Sequence, residues 1–171
     1  PEITRLKPLH PGTFLARDGA PAALILWGEG SELEALGREA AALLAKRTGA
    51  TLEARPASDL VSRWWEIDFD RIAGRNIIAL GNINNHRLLA ALWGEDYTAE
   101  DSMFPGAGGY VVRTVHDPFA RGFNVIVLAG SDLAGTRRAV DAFFSKHLVA
   151  RDRSASVPQP VVEVVPGQPP S

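Results

Sequence analysis

The chain contains no cysteine, which excludes disulfides, thiolate catalysis and cysteine-ligated metals. That absence leaves the compartment open. No apolar run approaches the roughly 20 residues that a bilayer-spanning helix needs, so no membrane partner is expected, and no signal peptide is visible. The four histidines, His10, His86, His116 and His147, are scattered, and none stands in a metal-ligand spacing such as His-x-x-x-His. A Gly-x-Ser-x-Gly nucleophile elbow is missing, as is any internal repeat, and no cofactor is implied. Net charge is also small. With 18 basic and 20 acidic residues the balance is -2, so no global attraction draws the chain to nucleic acid. The first residue is Pro1 rather than methionine, and we expect a processed product or a segment of a longer protein.

What is present fits one domain. At 171 residues, 46% apolar and 22% charged, the chain is long enough to bury a core and has ordinary globular composition. Residues 22–27, Ala-Ala-Leu-Ile-Leu-Trp, form a continuous apolar run between Pro21 and Gly28, the signature of a buried strand. Residues 76–80 repeat that signature and end at Gly81, and the short runs 13–16 and 51–55 read as an edge strand and a further strand. A helix is expected from Ser31, with Glu34 completing a capping box. Leu33, Leu36, Ala40, Leu43 and Leu44 then recur at helical spacing, and Gly49 supplies the stop. A short helix is expected over 58–65, capped by Ser58 or Asp59. Asn84 or Asn85 is expected to cap a helix carrying Leu88, Leu89, Leu92 and Trp93. Residues 95–109 read as a long irregular loop, with a flexible glycine turn before Tyr110.

The segment from Gly108 to Leu148 is the most informative. Two β-branched runs, Tyr110–Val115 and Asn124–Leu128, flank the turn at His116-Asp117-Pro118 and lead into a helix. Ser131 or Asp132 caps that helix, and Leu133, Thr136, Val140, Phe143 and Phe144 form its buried stripe. The short link predicts an antiparallel hairpin, whereas the earlier alternation of strand and helix predicts parallel crossovers. The expected fold class is therefore α/β. It comprises a mixed, mostly parallel sheet of about five strands with helices packed on it, including a terminal β-hairpin followed by a helix. Residues 1–150 make the domain. Residues 151–171, with five prolines in the last fourteen positions, read as a proline-rich interdomain linker; within it, Val161–Val165 is either an edge strand or the beginning of a further domain.

Three predicted strands end in glycine and run into a helix cap: Gly28-Glu29-Gly30-Ser31, Gly81-Asn82-Ile83-Asn84-Asn85 and Gly130-Ser131-Asp132. In open parallel sheets, ligands favour this carboxyl edge. A dinucleotide fingerprint needs glycine at 33, where Leu33 stands, and Glu29 and Asp132 would repel a phosphate. Asn82, Asn84 and Asn85 cluster at one such crevice. Their amides suit sugar hydroxyls, although asparagine also favours caps and turns on its own account. The loop holding Trp93, Glu95, Asp96, Tyr97, Glu100, Asp101 and Phe104 mixes carboxylates with aromatics, a composition that suits a pyranose. Paired carboxylates also serve glycoside cleavage, but these share one loop, and a solvated acidic loop pinned by its aromatics is the expected reading. Trp93 extends the 89 and 92 helical face and is expected to be buried, which leaves Tyr97 and Asp101 as the loop's contacts. Trp64 and Trp65 are adjacent, so one of the pair is expected to be exposed at a domain contact.

The order Gly109-Tyr110, Val125 to Leu128, Gly130, Asp132, Gly135, Ala139 and Phe143 resembles the small α/β domain that precedes the catalytic barrel in hexosaminidases and α-glucuronidases. Ile77-Ile78-Ala79-Leu80-Gly81-Asn82 is similar to that domain's Ile-x-Leu-Gly strand. The resemblance spans roughly residues 20–148; the 94–109 loop and the Trp64-Trp65 pair have no counterpart in it. It implies a noncatalytic accessory domain of a glycoside hydrolase or polysaccharide lyase, outside the cell or in the periplasm. The implied partners are a catalytic module of the same parent chain and an oligosaccharide, with no catalytic residue to carry over. The alternative is a small nucleotide- or sugar-phosphate-binding protein that uses the strand-end crevice.

Overall fold

The apolar run after Pro21 forms a strand buried on both faces. In the computed structural model, which describes residues 7–168, the chain begins with β1 (Thr13–Arg17), β2 (Ala20–Pro21), β3 (Ala23–Trp27), α1 (Ser31–Thr48), β4 (Glu53–Pro56), α2 (Phe69–Ile72), β5 (Asn76–Leu80) and α3 (Arg87–Gly94). It continues with β6 (Tyr110–Val115), β7 (Val125–Gly130), α4 (Leu133–Ala142), β8 (Val149–Arg151), β9 (Ser154–Val157) and β10 (Val162–Val165). A six-stranded sheet has the order β10-β6-β7-β5-β3-β4. Its β4, β3, β5 and β7 are mutually parallel, while β6 runs antiparallel to both of its neighbours, β7 and β10. The fold is α/β, and β6 and β7 form the expected antiparallel pair.

Period-two alternation sorts the side chains into two cores. Ile25, Ile78, Leu80, Ile126 and Leu128 face α1 and α4, meeting Leu36, Ala40, Leu44, Val140 and Phe143. Leu24, Leu26, Ile77, Ala79, Val125 and Val127 face the other way, onto Leu88, Leu89 and Leu92 of α3 and onto Ile72 and Phe123. Helical cover on both faces is why these strands are continuously apolar. A second sheet, β2-β1-β9-β8, is wholly antiparallel. It adds Leu15, Ala155 and Val157 to the first core.

Several local expectations are corrected. Of residues 151–171, read as linker, 151–168 are built into both sheets, 169–171 lie outside the described residues, and of the two alternatives for Val161–Val165 the edge strand is the one present. β9 lies between β1 and β8, and β10 covers the β6 edge. Pro158, Pro160 and Pro166 fall between or after these strands and never within one, so no ladder donor is lost. Glu163 fastens β10. Its carboxylate accepts from the Tyr110 hydroxyl at 2.6 Å and from Lys146 at 2.7 Å, and it meets His147. Chiefly through Lys146, then Tyr110, its pKa is held down at about 2. β1 is interior to its sheet, not an edge. Ser31 makes no capping box, because Gly30 takes the cap position at φ 116° with no side-chain bond. Glu34 instead binds Arg38 one turn on, at 2.8 Å. Over 58–65 the chain makes only a single turn, Ala57–Asp59. It then reverses at Ser62–Glu66 with Trp65 at φ 59°, which ends any helix.

Candidate functional site

The parallel strands run in the order β4-β3-β5-β7, so the connections leave β3 and β5 in opposite directions. The topological switch point, where open α/β sheets favour ligands, therefore lies between the ends of β3 and β5. Here that gap is filled from within. Gly28 and Gly81 end the two strands, and a Cβ at either would collide with Asn85 Oδ1. Gly81 also takes φ 135°, a region that L side chains rarely occupy.

The asparagine loop is a set of ties. Asn82 Nδ2 donates to the Gly130 carbonyl at 2.9 Å, and Asn82 Oδ1 accepts from the Asn84 amide at 3.0 Å. Asn85 Oδ1 accepts from the Asn82 amide at 2.9 Å, and the Asn85 carbonyl accepts from Glu29 at 2.7 Å. The ends of β3, β5 and β7 are thereby joined. Asn84 Oδ1 accepts from the Ser102 amide at 2.9 Å, and the Ile83 amide donates to the Glu100 carbonyl at 2.9 Å, which pulls in the 95–109 loop. The cap of α3 is His86 rather than Asn84 or Asn85. Its Nδ1 accepts from Leu89, so Nε2 carries the proton and donates to the Leu26 carbonyl at 3.1 Å. Burial holds its pKa down at about 4, against the hydrogen bond to Leu26.

A crevice of about 190 Å³ remains beside this loop, lined by Glu29, Glu32, Asn82, Asn85, Ser131 and Asp132 among others. Three carboxylates in so small a space oppose a phosphate. Asp132 is already engaged, accepting from the Gly135 amide as the cap of α4 and from Gly108.

The expected site residues therefore separate. Asn82 and Asn85 build the crevice wall, and Asn84 turns toward a second, larger depression. Tyr97 is 36% exposed, and its carbonyl accepts from Arg113 at 3.1 Å. Arg113 also pairs with the fully buried Glu100 at 2.8 Å, which pins the loop to β6. The Asp101 carboxylate accepts from the Met103 and Phe104 amides at 2.7 Å each and so closes its own turn.

The second depression is an open groove of about 690 Å³. It is lined by Trp65 and Trp93, by Ile67, Ile83, Ala90, Ala91, Gly94 and Phe119, and by the polar Asn84 and Glu95. Trp93 is 56% exposed, contrary to the buried position expected for it. Leu88, Leu89 and Leu92 complete the inward face of α3, and one further residue turns about 100° away from Leu92. Trp64 and Trp65 are both exposed, at 85% and 61%. The groove joins residues 65, 83, 93 and 119, from four separate segments, so no local pattern announces it. Adjacent tryptophans bounded by polar residues were its one sequence signal. Among the described residues no group of three His, Asp or Glu side chains stands close enough to hold a metal ion, and no helix is long and apolar enough to cross a membrane.

In sequence comparison, no protein-family model and no curated protein matches the chain.

Proposed function

We propose that the chain is a noncatalytic α/β accessory domain of a larger carbohydrate-active protein, a glycoside hydrolase or a polysaccharide lyase. It packs against the catalytic module of the same parent chain and contributes to glycan binding. The observation that carries this reading is the narrowed carboxyl edge of the parallel sheet, where a crevice of only about 190 Å³ remains. Where an α/β enzyme keeps an open crevice for chemistry, the Asn82–His86 loop joins three strand ends with its own side chains.

The motif residues behind the resemblance have packing roles that agree with this. Asp132 caps α4, Gly135 lets the helix approach the Gly109 carbonyl and Gly130 at a distance no side chain would allow, and Ala139 and Phe143 are buried. The test is turnover. The 171-residue chain, incubated with aryl glycosides, neutral polysaccharides and uronate-containing polysaccharides, is expected to release neither reducing ends nor unsaturated uronate. Saturable turnover that a change in the Asn82–His86 loop abolishes would contradict the proposal.

A further inference from the structure

Three of the four tryptophans are solvent-exposed, and only Trp27 is buried. Exposed apolar surface of this kind marks a contact site. The groove between Trp65 and Trp93 is built rather than incidental. Trp65 sits at φ 59°, a conformation that bulky residues avoid, and a tight hairpin holds it there. Val61 and Ile67 form an antiparallel bridge. The Ser62 amide donates to the Glu66 carbonyl at 2.9 Å, while the Ser62 hydroxyl accepts from the Trp64 and Glu66 amides at 3.2 Å each. From α3, two alanines, Ala90 and Ala91, join Trp93 in the lining, and their small size leaves the groove room.

The lining narrows the ligand chemistry. A volume of about 690 Å³ falls within the range of small-molecule sites, roughly 300–1,000 Å³. Two indoles with otherwise mostly apolar neighbours, Phe119 among them, call for a flat or weakly polar ring face. No Lys or Arg lines the groove and one carboxylate, Glu95, does, so phosphates, sulfates and uronates are poorly matched. Among the described residues, the Glu95 carboxylate stands in no ion pair, and the Asn84 side chain accepts from Ser102 through Oδ1 while its Nδ2 donates to no group of the chain. The groove therefore offers one free acceptor and one free donor beside its aromatic walls. Hydroxyl groups, which donate and accept, fit that pair. A quaternary ammonium would suit the indoles and the carboxylate but would leave the amide donor idle.

We propose that the Trp65–Trp93 groove binds a neutral pyranose unit of a glycan chain. The ring's C–H face stacks on an indole, while Asn84 and Glu95 hold hydroxyls at the rim. This deepens the reading of the chain as an accessory domain and rests on it.

The experiment is calorimetric titration of the full chain with neutral xylo-, cello-, malto- and chito-oligosaccharides, with choline and inorganic phosphate as separate arms. Saturable binding of at least one oligosaccharide is expected, with neither small ion binding. Trp93→Ala and Trp65→Ala should each weaken it tenfold or more, whereas Trp64→Ala, which lies outside the groove, should change it less than twofold. Ala91→Leu narrows the groove without deleting an aromatic and should also abolish binding; thermal unfolding of each variant shows that it is folded. Binding to none of the oligosaccharides, binding that survives both Trp65→Ala and Trp93→Ala, or choline binding in place of sugar would each overturn the proposal. So would self-association that buries Trp93, which would make the groove an interface between copies. None of these results touches the noncatalytic reading, which the turnover assay decides separately.

Discussion

Asn82 uses both ends of its amide inside the fold, donating to Gly130 and accepting from Asn84 while only 4% exposed. Removing such a side chain leaves buried partners unsatisfied, at about 1–3 kcal/mol. Asn82→Ala is accordingly expected to lower the urea-unfolding free energy by about that amount; an unchanged midpoint would show that the loop does not tie the strand ends. His86 gives the same region a pH dependence. Its folded pKa of about 4 lies below the ordinary 6.5. The unfolded chain therefore binds a proton that the folded chain refuses. The stabilising contribution of the neutral ring is complete above 6.5 and is lost as pH falls from 6.5 to about 4, on the order of 3 kcal/mol in all. His86→Asn keeps a capping acceptor without the titration. Its stability should vary less over that interval, and a slope equal to the parent's would remove His86 as the cause. At this scale the sequence showed the asparagine cluster but not its use. Amides suit turns and hydroxyl ligands alike, and only the placement of Gly28, Gly81 and Gly130 around them decides.

Among the elements, β3, β5 and the β6–β7 pair were legible because strands covered on both faces must be continuously apolar and because a short link forces antiparallel pairing. The C-terminal strands were obscured by proline content, which lowers strand propensity along the sequence while the prolines themselves sit between the pairings. Ending the chain after Ala150 cuts into β8, removes β9, the partner of β1, and exposes the β6 edge. That truncation is expected to lose cooperative thermal unfolding, whereas a merely detached linker would leave the transition unchanged. Glu163 is the local contact that holds β10. A carboxyl with its pKa depressed to about 2 stabilises the fold fully above its ordinary 4.5, and the contribution fades as pH falls from 4.5 through 2. Glu163→Gln should therefore destabilise the chain at neutral pH, with the difference from the parent shrinking below pH 4. A difference independent of pH would mean that packing, not charge, secures the strand.

In the molecule as a whole, the strand-end crevice and the aromatic groove are separate depressions. The carboxyl edge of the sheet, the default location for a ligand, is narrowed by asparagines to a crevice of about 190 Å³ bordered by Glu29, Glu32 and Asp132. The open groove lies instead between the Trp65 hairpin and α3. Ligand mapping by amide and indole NMR shifts during titration with a neutral oligosaccharide tests this division most directly. Shifts are expected to centre on the indole N–H groups of Trp65 and Trp93 and on Asn84, with the amides of Gly28, Gly81 and Gly130 unmoved. Shifts centred on those three glycines, with the indoles silent, would contradict it.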